Sequence, residues 1–187
     1  MRAKLILVGF ISAALLVGLQ LRQARIPPAA AAYLRYLCGS ERWPVKTFSD
    51  GDRWQVDLTR RSRTIAELNT LVKPSPLPQN GRVSAELKVY RVTGTVIYTA
   101  NEDDGDVHLA LQGTDGSTLI AEAPEPACTV NARDRTAIKA ARLVAQDIQV
   151  GDKVTVAGVG FFDFPHNQNG HAKNQIELHP LLSVKRL

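Results

Sequence analysis

The sequence predicts a mainly β domain of the OB type, a small five-stranded Greek-key barrel with one helix between its third and fourth strands. Two observations carry that expectation. Period-2 apolar alternation recurs in five segments after residue 80, in the order β-β-β-α-β-β. The first of these segments is long and holds a glycine where a curved strand must bend. The composition, 44% apolar and 22% charged, is that of a globular chain and excludes a disordered or multi-span membrane protein. A β-grasp or a split β-sandwich would use similar pieces.

In the first strand Tyr90, Val92, Val96 and Tyr98 share one register and Arg91, Thr93 and Thr95 the other, with Gly94 at the bend. Val107, Leu109 and Leu111 alternate with Asp106, His108 and Ala110 in the second. The run Gly113-Thr114-Asp115-Gly116 supplies turn chemistry before a third strand over Thr118 to Glu122. Pro124 and Pro126 end the sheet, and Asn131 to Gln146 reads as a helix built from good helix formers and stopped by Gly151. Val154 and Val156 open the fourth strand, and Ile176 and Leu178 alternate with Glu177 and His179 in the fifth.

The barrel so defined spans residues 81–187, and two other regions precede it. Residues 1–32 contain Arg2, Lys4, Arg22 and Arg25 with no acid, around an uncharged apolar run from Leu5 to Leu21. A basic start followed by such a run is the pattern of a signal peptide or an N-terminal membrane anchor. It places the domain outside the cytoplasm, in the periplasm or at the cell exterior, either released or tethered to the inner membrane by residues 5–21. Residues 33–80 form an irregular extension. Trp43 and Trp54 are its expected packing anchors, Thr64-Ile65-Ala66-Glu67 starts a short helix with a capping box, and Lys73 to Pro78 is a proline-rich connector.

Cys38 and Cys128 are the only cysteines, and an even count in an exported chain predicts one disulfide. The apparent basicity resides in the leader. Of 23 Lys and Arg residues 4 lie there, so the remainder carries 19 against 18 acids. Such a surface gives no support to a nucleic-acid partner, which phosphate neutralisation would require to be basic.

Two loops concentrate chemistry. The loop between the first two strands, Ala100 to Asp106, places four carboxylates in five positions and lacks EF-hand spacing. It reads as a solvated acidic turn or as a site for a hard cation or basic partner. The loop between the last two strands holds His166 and His171 and leads into Glu177 and His179. Glu177 and His179 point the same way from a strand, so His166, Glu177 and His179 are candidate ligands for a divalent metal. The competing reading is that the histidines fasten a long loop while Glu177 pairs with an Arg. Asp106 and His108 share a register on the second strand, but the third strand is expected to hold them about 10 Å from the fifth, which makes two separate clusters. The basic run Arg60-Arg61-Ser62-Arg63 reads as a solvated face beside the short helix. No nucleophile motif is present.

Several blocks of the chain resemble the signatures of a family of exported bacterial proteins of unknown function: Ser40 to Thr47, Asp103 to Leu109, Ile120-Ala121-Glu122 with Pro126-Ala127-Cys128, Gly158 to His166, and Ile176 to Pro180. The likeness extends over nearly all of the chain beyond the leader, implies export and a bacterial source, and supplies no activity. In that family the second loop resembles His-Gly-Gln-Thr-Gly-Val-Ala-Pro-Asn, from which Asn167, Asn169, His171 and Lys173 depart. The candidate ligand-binding set is therefore Asp106, His108, His166, Glu177 and His179. Two functions fit. One is a non-catalytic OB-like module that binds a protein, glycan or small ligand. The other is a metal-dependent hydrolase in which His166, Glu177 and His179 hold the ion and Asp106 or His108 moves a proton.

Overall fold

The computed structural model describes residues 38–39, 41–165 and 168–187; the leader and His166 lie outside the described residues. Six strands form one sheet: β1 (Asp57–Ser62), β2 (Lys88–Asn101), β3 (Val107–Gln112), β4 (Thr118–Ala123), β5 (Lys153–Phe162) and β6 (Ile176–Arg186). The sheet order is β1-β2-β3-β4-β6-β5, and β2 also pairs with β5, so β2 to β6 close into the expected five-stranded barrel. Among the described residues three α-helices accompany it, α1 (Trp43–Lys46), α2 (Ile65–Asn69) and α3 (Arg135–Ala145). Among the described residues no helix is long and apolar enough to cross a membrane.

Closure depends on the bend in β2. Its first half pairs with β5, from Val89 opposite Val159 to Thr95 opposite Lys153, and its second half with β3, from Thr95 opposite Gln112 to Asn101 opposite Val107. Gly94 sits at the changeover, where an added Cβ would lie 3.0 Å from the Gln112 carbonyl and 3.1 Å from Ile65 Cδ1. The close approach, and not an unusual dihedral, requires glycine there. The interior is filled by Val92, Val96, Leu109, Leu111, Leu119, Ala121, Val154, Val156, Leu178 and Leu181, with Ala141, Ala145 and Ile148 from α3 and its C-terminal extension closing one end.

The irregular extension is more ordered than its sequence predicts. Residues 57–62, including Arg60 and Arg61 of the basic run, form β1 and pair in parallel with the start of β2. Arg61 pairs with Asp57 at 2.6 Å, so the run is a decorated edge strand. Thr64 and Glu67 form the expected capping box of α2. Trp54 is no packing anchor. It is 65% exposed and lies 5.2 and 5.4 Å from the guanidinium groups of Arg53 and Arg133. Phe48 takes the anchoring role, fully buried with Val56, Val89, Ile138, Ala157, Val159 and Leu182 in a second, smaller core on the outside of the barrel. Cys38 and Cys128 form the expected disulfide, which ties the approach to α1 to the chain beyond β4. Helix α3 begins at Arg135, later than its sequence suggests, because Arg133 N–H is already committed to the Phe48 carbonyl and Asp134 is left-handed at φ 60°.

Candidate functional site

Strands β3, β4 and β6 are buried on both faces, because the chain folds back over the outside of the barrel. The β5–β6 loop crosses the outer face of β3 and β4, and α1 covers the neighbouring part of β5 and β6. On this covered face one row of side chains runs across three strands. His108 on β3 stands directly opposite Glu122 on β4. Ala121 of β4 pairs with Leu178 of β6, which brings Glu122 beside His179. The row follows from the two-residue period of the strands and from the ladder register.

The contacts within this row make one continuous relay. His108 Nδ1 lies 2.8 Å from Glu122 Oε1 and 3.3 Å from Glu102 Oε1. His179 Nε2 lies 3.5 Å from Glu122 Oε2 and 3.0 Å from Asp106 Oδ2. Asp106 is fixed from its other side, where its Oδ1 accepts the Glu125 N–H at 2.8 Å. Arg142 of α3 holds the adjoining chain by donating to the Ala123 and Gly105 carbonyls at 2.7 and 2.8 Å. Asp106, His108, Glu122 and His179 are each no more than 4% exposed. Only Glu102, with 34% of its side chain accessible, reaches the surface.

Protonation follows from the donor inventory. His108 Nε2 faces the Asn169 carbonyl at 3.1 Å and its Nδ1 faces carboxylates. All of those partners can only accept, so both ring nitrogens carry hydrogen and the ring is an imidazolium when these partners alone surround it. Burial on its own would lower the His108 pKa, but the hydrogen bond and charge of Glu122 outweigh burial and raise it. Glu122 shows the complementary effect. Burial would raise its pKa, yet the His108 hydrogen bond and the charges of His179 and Lys46 bring it down to about 2.

A second group of charges adjoins the relay. Lys46 of α1, with 13% of its side chain exposed, lies 3.6 Å from Asp163 Oδ2. Burial disfavours its charge, but Glu122, Asp163, Glu177 and Asp106 together hold it protonated far beyond its ordinary range. Glu177 behaves oppositely. Burial, reinforced by Glu122 and Asp163, pushes its carboxyl well above the usual carboxylate range. Arg42, one turn before Lys46, grips Glu86 in a bidentate pair at 2.7 and 2.9 Å with both side chains fully buried.

These positions revise the expected site. Asp106 and His108 do not form a cluster separate from His179, because Asp106 contacts His179 directly at 3.0 Å and Glu122 stands between His108 and His179. Glu177 and His179 share a face as their spacing requires, but His179 turns to Asp106 and Glu122, and Glu177 belongs with Lys46 and Asp163. His166 of the expected metal set lies outside the described residues. The loop is fastened by His108 through Asn169 and by Thr118, whose hydroxyl donates to the His171 carbonyl at 2.9 Å, and not by His179. The acidic turn is not a solvated one throughout: Asp103 is exposed, while Glu102 leans onto His108 and Asp106 is buried. Glu122, Glu102 and Lys46 were not singled out as site residues. Glu122 was within reach of hairpin arithmetic, since a turn pairing residue 112 with 118 pairs 108 with 122.

Gly170 makes the loop's seat possible. It has φ +80°, and an added Cβ would lie 2.2 Å from Ala110 Cβ. Gly170→Ala therefore combines backbone strain with a clash and costs about 2–3 kcal/mol. Its expected signature in hydrogen exchange is faster exchange in residues 168–175, with β2 and β5 unchanged; unchanged protection of the loop would contradict this seat.

No family model and no curated protein matches the chain. Among solved structures, a protein assigned as an aspartyl-tRNA synthetase from Leishmania major Friedlin is similar over 68% of this chain at 14% identity and a TM-score of 0.44. The chain spans 21% of that protein's length. An OBody bound to hen egg-white lysozyme is similar over 54% of this chain and 81% of its own, at 13% identity and a TM-score of 0.38.

Proposed function

We propose that the protein is an exported or membrane-anchored bacterial module of the OB type that works outside the cytoplasm by binding, without catalysis. One observation carries the non-catalytic reading: the side chains capable of acid–base chemistry, His108, Glu122, His179 and Asp106, are enclosed by the protein's own chain. A reacting group must come within hydrogen-bond reach of its base, and the β5–β6 loop with α1 occupies that space. The same loop covers the β3–β4 face through which OB barrels commonly take ligands. Binding of a protein, glycan or small ligand is therefore directed elsewhere, and an open groove of about 370 Å³ whose lining includes Arg63, Arg91, Asp115, Thr93, Ile65 and Ala66 offers charged contacts of both signs beside apolar ones. The disulfide supports an oxidising compartment, and the apolar run of residues 5–21 supports the route there.

Cell fractionation of the full chain, with general ester and phosphoester substrates offered to the purified protein, tests the proposal. Recovery in the periplasmic or membrane fraction and no turnover are expected. A cytoplasmic location would overturn export, and turnover abolished by His179→Gln would overturn the non-catalytic reading in favour of the hydrolase.

A further inference from the structure

We infer that Glu102, His108 and Glu122 form a binding site for a zinc-type divalent cation, held at His108 Nδ1 between two carboxylates. The Nδ1 atom and one oxygen of each carboxylate lie within 4.8 Å of one another, so one ion can touch all three with small adjustments. Its neighbours stand at 2.8 Å in Glu122 and 3.3 Å in Glu102. Ligand bonds of about 2.0–2.1 Å in a tetrahedron separate donor atoms by roughly 3.3 Å. The Glu122 contact is short for that edge and the Glu102 contact matches it.

The surrounding groups prepare His108 as a ligand. Its Nε2–H donates to the Asn169 carbonyl at 3.1 Å, the outer hydrogen bond that fixes ring orientation and leaves the other nitrogen for a metal. Glu122 is ordered on its second oxygen by His179 Nε2 at 3.5 Å, and His179 is ordered by Asp106 at 3.0 Å. With no metal, the Nδ1 position is filled by a proton. A divalent cation takes that proton's place, and the proton leaves to solvent. Access is through Glu102, the partly exposed ligand, with 34% of its side chain accessible.

The chemistry of one imidazole and two carboxylates suits zinc and its first-row neighbours, and within that series the affinity order favours zinc over manganese or ferrous iron. Bound there, the ion fastens the turn between β2 and β3 to the face of β3 and β4. The donors differ from the His166, Glu177 and His179 set expected from the sequence, and the inference does not require the protein to be a binding module.

The test is elemental analysis of the full chain, purified without chelator in mild detergent from an oxidising compartment, followed by zinc titration under thermal denaturation. About one zinc per chain, or a Tm that rises on adding zinc and falls back with chelator, is expected. Glu102→Ala removes a ligand at the rim without leaving a buried charge, so it is expected to fold as the parent does and to bind zinc roughly 100-fold more weakly. Cobalt in place of zinc reports on the same atoms, with visible absorption bands expected for the parent and lost in Glu102→Ala. The inference is overturned if the parent neither retains nor responds to zinc, or if Glu102→Ala retains and responds to it as the parent does.

Discussion

Glu86→Ala destabilises the protein by about 3–5 kcal/mol, the cost of leaving Arg42 charged and unpaired in the interior. For a domain of this size that lowers Tm by roughly 6–20 °C. The magnitude follows from how fully Glu86 is used. Its two oxygens bind Arg42 Nη1 and Nη2 at 2.7 and 2.9 Å, Oε1 accepts the Phe162 N–H at 2.8 Å, and Oε2 accepts the Val83 N–H at 2.9 Å. Alanine strands one cation and two backbone donors at once. Arg42 in turn donates to the Phe162 and Gly81 carbonyls and lies over the Phe161 ring at 5.1 Å, so the pair joins the start of α1 to the end of β5.

A double variant separates the worth of the pair from the penalty of breaking it. Arg42→Met with Glu86→Leu removes both charges together and is expected to recover most of the loss, because burying an ion pair stabilises little over apolar residues of similar volume. Chemical denaturation of Arg42→Met, Glu86→Leu and the double variant gives the coupling energy. A Glu86→Ala loss below about 1 kcal/mol would mean that the segment carrying Arg42 is not held as described. The neighbouring charges of Lys46, Asp163 and Glu177 depend on the same segment, so the relay is disturbed only if α1 leaves its place.

This arrangement shows why part of the protein was legible in the sequence and part was not. The five barrel strands repeat every two residues because one face of each lines the apolar interior, and Gly94 marks the bend. Strand β1 has no such signal: nearly all of its residues are exposed, and its parallel partner β2 begins 26 residues after β1 ends. Arg42 and Glu86 are 44 residues apart, and no periodicity links a residue before the barrel to one in a 3-10 turn at its entrance. The relay was half legible. Asp106 with His108 and Glu177 with His179 reveal themselves by spacing, but their meeting depends on Glu122 and on the loop that encloses the outer face. A second layer of chain covers this outward register and makes it a polar interior, which strand spacing alone does not signal.

Removing the disulfide has an effect of the same size by a different physical route. Cys38 and Cys128 are 90 residues apart, and cross-linking a loop of that length restricts the unfolded chain by about 4.5 kcal/mol in the entropy model. The double variant Cys38→Ser with Cys128→Ser is expected to lose that stability, a drop in Tm of roughly 9–18 °C. Because the term acts through the unfolded state, the spectrum and native exchange pattern of the barrel strands are expected to persist in the folded population, unlike the local opening expected of Gly170→Ala. Alkylation of the denatured, unreduced parent should leave its mass unchanged, and two added labels would refute the bridge.

Combining the serine pair with Glu86→Ala asks whether residues 38–48 act as one unit. The disulfide fixes this segment at its beginning and the Arg42–Glu86 pair fixes it four residues later, while Phe48 fixes its end. If the segment detaches as a unit, losing either attachment weakens the other, and the summed losses differ from the double loss by about 1 kcal/mol or more. Strict additivity would instead mean that the disulfide acts through the unfolded chain alone and that Arg42 stays seated without it.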